Sequence, residues 1–316
     1  MTLKNAKILV TGATGFVGRN LVALMRERGA EPITPTREEF DLLEQSAVRR
    51  MLERHRPDVV FHLAGLVGGI GANKSQPADF CYQNLLMGAM ILHESCKVGA
   101  KKYVTLMGGC SYPAHAPSPI KETELFNGYP QMESAPYSLA KAMSAVQAEA
   151  YRRQHGFNAI VLVPGNIYGP HDNFDLNNSH VIAALIRKFL EAKAASKPEV
   201  PAWGTGKPTR DFVYIADACE AILLAAEEYD GSDIINISAG RTVTIKELTE
   251  TVAELTGYKG KVVWDASKPD GQMYKGFDVT RMKKVLGYEC RTSLRDGLKR
   301  TIDWYVANPN LVRRRG

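Results

Sequence analysis

The stretch Ala6-Lys7-Ile8-Leu9-Val10-Thr11-Gly12-Ala13-Thr14-Gly15-Phe16-Val17-Gly18 reads as a buried strand that runs straight into a glycine-rich turn. An amphipathic helix follows through Asn20-Leu21-Val22-Ala23-Leu24-Met25 and stops at Gly29. Glycines at these positions have a physical use. They allow a tight turn, a close approach of the backbone to a pyrophosphate, and close packing of helix on strand, with the anion held at the helix amino terminus. A glycine triplet alone is a weak signal, but between a strand and a helix it points to a dinucleotide site.

Outward from this turn the alternation repeats. Glu31-Pro32-Ile33-Thr34 is expected to be the second strand, and Pro35-Thr36-Arg37 follows it. An acidic residue here would suit the ribose hydroxyls of NAD, whereas Arg37 suits a 2′-phosphate, so NADP(H) is the expected cofactor. The plain alternative is an Arg37 paired with Glu38 or Glu39. Further strands are expected over residues 58–63, 102–107 and 158–163, with a long helix over 80–98 between two of them. Strand and helix in regular succession predict an α/β fold with a Rossmann-type, doubly wound parallel sheet. Ligands then bind at the carboxyl ends of the strands, in the loops over 64–71, 108–113 and 164–173.

Between two of those loops lies Pro136-Tyr137-Ser138-Leu139-Ala140-Lys141, read as the first turns of a helix that continues to Glu149. Positions four apart share a helix face, so the Tyr137 phenol and the Lys141 ammonium can address one ligand. The nearby ammonium is expected to favour the phenolate and bring Tyr137 into range as an acid or base for a sugar or alcohol oxygen. The bland alternative is an amphipathic helix on which the two fall by chance.

Beyond residue 165 the pattern loosens. Helices are expected over 180–189, 216–228, 245–255 and 294–304, with one short strand over 234–237. This part reads as a smaller α/β substrate-binding cap over the sheet edge, too irregular for another sheet layer. Residues 1–165, rejoined by about 212–238, are expected to form the NADP-binding domain, and 166–211 with 239–316 the substrate-binding domain.

The 316 residues are 45% hydrophobic and 23% charged, ordinary for a soluble globular protein, and no apolar run approaches the length of a membrane span. Gly12, Gly15 and Gly18 interrupt the first apolar stretch too soon for a secretory signal. Cys81, Cys96, Cys110, Cys219 and Cys290 are scattered without metal-ligand spacing, so no metal is expected and a reducing cytoplasm fits. The net charge of +6 is spread along the chain apart from Arg313-Arg314-Arg315, read as a solvated end rather than a nucleic-acid arm.

Together with the glycine turn and the Tyr137 and Lys141 pair, the stretches VGGIGANKSQPADFCYQN, NIYGPHDNFDLNNSHV, WGTGKPTRDF and KPDGQMYK resemble the GDP-L-fucose synthase family, within the extended short-chain dehydrogenase/reductase superfamily. The resemblance covers nearly the whole chain. It implies epimerisation of GDP-4-keto-6-deoxy-mannose at carbons 3 and 5, then reduction of the ketone with NADPH. A base must remove a carbon-bound proton and an acid must return one from the other face. The family gives that work to a Cys and a His, which match Cys110 and His180, beside Tyr137 and Lys141. His171 reads as a loop-shaping residue. Implied cofactor contacts are Gly12, Thr14, Gly15, Phe16, Val17, Gly18, Arg37, Asp41, Leu42, Leu63, Ala64, Lys141, Pro164, Asn166, Ile167 and His180. Implied substrate contacts are Lys188, Arg210 and Lys275 for the diphosphate, with Trp203 and Asn166 near the base, sugar or reacting ring.

The chain departs from its family at Lys188, where the family often has Arg; Lys keeps the charge but loses the bidentate geometry. It departs again at one place nearer the chemistry. Short-chain reductases complete the Tyr and Lys pair with a Ser or Thr, and Gly108 stands there, which is expected to weaken reduction more than epimerisation. A homodimer is expected, as in the superfamily, through the helix over 80–98 and the helix that carries Tyr137; neither nucleic acid nor a membrane is an expected partner. Alternatives left open are another nucleotide-sugar epimerase, such as one resembling GDP-mannose 3,5-epimerase, a 4-reductase of the superfamily, or a non-catalytic NADP-binding protein.

Overall fold

The computed structural model describes residues 2–310 apart from 177, 268 and 269. Arg313-Arg314-Arg315 and the first two residues of KPDGQMYK therefore lie outside the described residues. The first half of the chain runs β1 (Ile8–Thr11), α1 (Phe16–Glu27), α2 (Gln45–His55), β2 (Val59–His62), α3 (Ile70–Ser75), α4 (Pro77–Lys97), β3 (Lys102–Leu106), α5 (Ala135–His155) and β4 (Ala159–Pro164). The second half runs β5 (Asn166–Tyr168), α6 (Val181–Ala194), β6 (Glu199–Trp203), β7 (Thr209–Tyr214), α7 (Ile215–Glu228), β8 (Ile235–Ile237), β9 (Thr242–Thr244), α8 (Ile245–Thr256), β10 (Lys261–Asp265), β11 (Tyr274–Lys275), α9 (Thr280–Leu286) and α10 (Leu294–Ala307).

The main sheet has five parallel strands in the order β1-β2-β3-β4-β8. Every residue of β1, β2 and β4 is buried, because helices cover both faces of a parallel sheet. Alternate side chains point to opposite faces. Ile8 and Val10 therefore join the core cluster that includes Leu21 and Met25 of α1 and Ala218 and Ile222 of α7. Leu9 joins the other, with Val48 and Leu52 of α2, Ile91 of α4 and Ala142 of α5.

The expected second strand shrinks to a single bridge, Leu9 to Ile33, closed by Val10 N–H to Ile33 O at 2.9 Å and Ile33 N–H to Ile8 O at 2.8 Å. Pro32 and Pro35 flank it and lack the donors a longer ladder needs. Even this bridge matters, because the chain leaves β1 toward Ile33 on one side and β2 on the other. The carboxyl end of β1 is thus the topological switch point, where open α/β sheets bind ligands.

The smaller α/β cap is present and has sheets of its own, apart from the main one. β6 and β10 pair in parallel, and β7 lies between β5 and β11 with β9 also on it. β5 and β9 have three residues each and β11 has two, too few for a period of two to show in the sequence. Among the described residues no helix is long and apolar enough to cross a membrane.

Candidate active site

A cavity of about 460 Å³ opens at the switch point, between the turn after β1, the segment after Ile33 and the end of β2. Gly12 has φ 72°, and a Cβ there would stand 2.5 Å from the Ala64 nitrogen; one on Gly18 would stand 2.1 Å from the Gly12 carbonyl. The glycines thus serve both the turn and the packing of α1 on its strand. Gly15 caps α1 with no side-chain hydrogen bond and no acidic residue in the first turn, so the helix end is open to an anion. Thr14, Arg37, Asp41, Leu42, Leu63 and Ala64 line the same cavity. Glu39 is engaged by the Thr36 backbone N–H at 2.9 Å. The chemistry of this lining fits an adenine dinucleotide with a 2′-phosphate: an open helix end at Gly15 suits a pyrophosphate, and the Arg37 guanidinium suits a phosphate. Phe16, Val17 and Gly18 open α1 behind the turn, whereas Pro164 ends β4, separated from β1 by β2 and β3, and Asn166 and Ile167 open β5 beyond it.

After β3 the chain enters a 3-10 turn, Gly109–Ser111, that carries Cys110. The Ser111 hydroxyl donates to the Ser138 carbonyl at 2.9 Å and ties this turn to α5. Pro136 sits in the first turn of α5, so Tyr137 and Lys141 project from its opening turns. A Cβ built on Gly108 would lie 3.0 Å from Cys110 Sγ and 3.7 Å from the Tyr137 hydroxyl, so both groups face residue 108. Burial pushes the Tyr137 phenol well up, and the charge of a Cys110 thiolate adds to that. The expected lowering by Lys141 is not what dominates. Burial also pulls Lys141 down to about 8, countered by the pull of Cys110. Tyr137 is therefore a proton donor at neutral pH.

His180 is the N-cap residue of α6, exposed to solvent on one side. The protein packed around its ring still disfavours the imidazolium and lowers its pKa. Lys275 is register partner of Arg210 across β11 and β7. Desolvation lowers the Lys275 ammonium, Cys110 raises it and Arg210 lowers it, so it stands in the field of the Cys110 thiol. Arg210 donates to the Gln272 carbonyl at 2.6 Å and to the Thr209 carbonyl at 2.8 Å. Lys188 of α6 lies over the exposed Trp203 ring, Nζ 5.6 Å from its centroid. The structure thus pairs Arg210 with Lys275 and Lys188 with Trp203. Asn166 opens β5 and donates to the Asp211 carbonyl at 2.8 Å. His171 has φ 70° and packs on Trp304, ring centroids 4.7 Å apart.

Three residues escaped the reading of the sequence. His62, fully buried at the end of β2, meets the Thr11 hydroxyl at 2.9 Å through Nδ1; burial and then Lys141 hold it neutral, pushed down to about 3. Asp211 accepts the backbone N–H groups of Ala239 and Gly240, both at 3.1 Å, and burial pushes it up to about 6. Phe277 packs so closely on Gly109 that a Cβ there would come within 2.5 Å of its ring. Asp211 lies in the WGTGKPTRDF stretch and His62 in a strand that was read, but neither these two nor Phe277 shows its role in the sequence, because each acts through a contact made only on folding. Among the described residues no group of three or more His, Cys, Asp or Glu could hold a metal ion.

Residues 8–238 match the NAD dependent epimerase/dehydratase family. The chain is 41% identical over 309 residues to "GDP-L-fucose synthase 1" of Arabidopsis thaliana, covering 98% of this chain and 95% of that one. It is 39% identical to "GDP-L-fucose synthase" of Escherichia coli (strain K12), covering 98% and 100%. A solved GDP-L-fucose synthetase from Naegleria fowleri bound to NADP superposes with a TM-score of 0.91 at 27% identity, covering 99% of this chain and 96% of that one.

Proposed function

The chain belongs to the NAD dependent epimerase/dehydratase family and within it to the GDP-L-fucose synthases, and from that premise we propose that it is an NADP(H)-dependent epimerase and reductase of GDP-4-keto-6-deoxy-mannose. The observation that carries the reading is the meeting of Cys110 and Tyr137 at Gly108, which sets a carbon acid–base group beside a proton donor for a carbonyl oxygen. In this reading Cys110 and His180 remove and return the protons on the carbons that flank the ketone. Tyr137 hydrogen-bonds the carbonyl oxygen and protonates it in the reductive step. Lys141, four residues along the same face, holds a positive charge below that oxygen. NADPH, when bound, supplies the hydride.

Arg210, Lys275 and Lys188 are the diphosphate partners in this reading, with Trp203 and Asn166 beside the rest of the substrate; Arg forks and Lys charges suit a diphosphate. A homodimer is supported by α4 and α5, which leave Tyr82, Leu85, Leu139, Met143 and Val146 exposed, more apolar surface than the sheet face uses. The five cysteines are free, which accords with a cytoplasmic setting.

The test is incubation with GDP-4-keto-6-deoxy-mannose and either NADPH or NADH, with products read by NMR. A 3,5-epimerised, reduced GDP sugar formed faster with NADPH is the expected result. Turnover only of a uridine or thymidine diphosphate counterpart would overturn the substrate assignment.

A further inference from the structure

Gly108 lies where proton exchange and reduction meet, and what it implies rests on the reading just given. A Cβ there would stand 3.5 Å from Tyr137 Cε1, 3.7 Å from the Tyr137 hydroxyl and 3.0 Å from Cys110 Sγ. Residue 108 therefore forms the wall beside a carbonyl oxygen that faces Tyr137, and as glycine it offers no side-chain donor. The hydroxyls around it are engaged elsewhere: Ser111 with the Ser138 carbonyl at 2.9 Å, Thr105 with the His62 carbonyl at 3.0 Å, Ser138 with the Ser134 hydroxyl at 3.4 Å. Gly109 has no room for a side chain, because Phe277 occupies that space.

The two chemical steps ask different things of this oxygen. Proton exchange removes a proton from a carbon beside the ketone and returns one, with no change of oxidation state. Its enolate spreads the charge over carbon and oxygen, and Tyr137 needs only to donate a hydrogen bond and keep its proton. In reduction the hydride adds to the carbonyl carbon, NADPH is oxidised to NADP, and the proton leaves Tyr137 for the oxygen. Tyr137 then ends as a phenolate. Burial and the Cys110 charge both oppose that anion.

We propose that Gly108 sets the partition of the reaction, leaving the ketone oxygen with one side-chain donor so that epimerising proton exchange outruns reduction. The position itself tolerates a side chain. Its φ of −76° and ψ of 144° suit any L residue, and a serine Cβ asks only a small shift of the Cys110 thiol. An added, oriented donor at such an oxygen is worth a factor of roughly 100 or more in rate.

The experiment follows GDP-4-keto-6-deoxy-mannose in deuterated water, measuring deuterium at the carbons flanking the ketone without cofactor and NADPH oxidation with it. The parent should exchange deuterium at least about ten times faster than it oxidises NADPH. Gly108→Ser should raise NADPH oxidation about 100-fold while still exchanging, and Gly108→Ala, which fills the space without a hydroxyl, should not. NADPH oxidation that keeps pace with exchange in the parent overturns the proposal, whether or not the variants fold. So does a Gly108→Ser protein that exchanges deuterium but reduces no faster than the parent, or a Gly108→Ala protein that reduces as fast as Gly108→Ser. A parent that neither exchanges nor oxidises overturns the substrate reading above, and this inference with it.

Discussion

Lys141 holds its ammonium where burial has pulled its pKa from 10.5 down to about 8. Below pH 8 both folded and unfolded chains carry that proton, and the folded one bears the desolvation. Between pH 8 and 10.5 the unfolded chain binds the extra proton, so this group's contribution to stability rises with pH across that window. Lys141→Met should therefore stabilise the fold at pH 7, by on the order of 1 kcal/mol for a side chain that is only half-buried, while reduction is lost. Denaturant titrations of both proteins at pH 7 and 10 check it, and the gain should shrink at the higher pH. Arg37 makes a second prediction at this scale. Charge-assisted hydrogen bonds to a 2′-phosphate contribute roughly 1.5 to 3 kcal/mol, about one to two decades of preference. NADPH should bind the parent more tightly than NADH, and Arg37→Ala should remove most of that difference by isothermal titration. The sequence revealed which residue types share the α5 face but not the protonation of Tyr137. Helical spacing places Lys141 near the phenol, whereas the sign of its shift depends on how much protein surrounds both groups, and that is a property of the packed site.

Apart from α2, the helices of ten or more residues were legible, because a period of 3.6 needs several turns to show. α5 and α7 start within about one residue of where the pattern places them, and Gly156 ends α5 in the left-handed conformation at φ 64°. α2 was missed. Its sequence QSAVRRMLERH buries only Ala47, Val48, Met51 and Leu52, a narrow stripe among charged residues. The paired helices α4 and α5 carry the prediction at this scale. Their exposed side chains include Tyr82 at 62% and Met143 at 46% of full exposure, on the two helices that pack most directly on each other. If a second copy covers them, Met143→Glu together with Val146→Glu should turn a dimer into a monomer by light scattering at micromolar concentration. A parent that is already monomeric would remove the premise.

At the scale of the molecule, the turn after β1 and the Tyr137 helix were visible in the sequence as local motifs, and the resemblance supplied Cys110 and His180. What neither disclosed is how the cap reaches the sheet. β11 pairs with β7 and sets Lys275 beside Arg210, while Phe277, two residues on, packs against Gly109 at the Cys110 turn. Those contacts join residues far apart in the chain, Arg210 with Lys275 and Gly109 with Phe277, and a strand of two residues such as β11 leaves no periodic trace. They bring groups from the second part of the chain to the Cys110 turn. In the proposed reaction Cys110 moves protons on carbon at the same ketone whose oxygen faces Tyr137. The most direct test is proton NMR of GDP-4-keto-6-deoxy-mannose in deuterated water with the parent, Cys110→Ser and Tyr137→Phe. Deuterium should enter the positions flanking the ketone with the parent and, more slowly, with Tyr137→Phe, and should fall at least about 100-fold with Cys110→Ser. Exchange by Cys110→Ser at the parental rate would contradict the account.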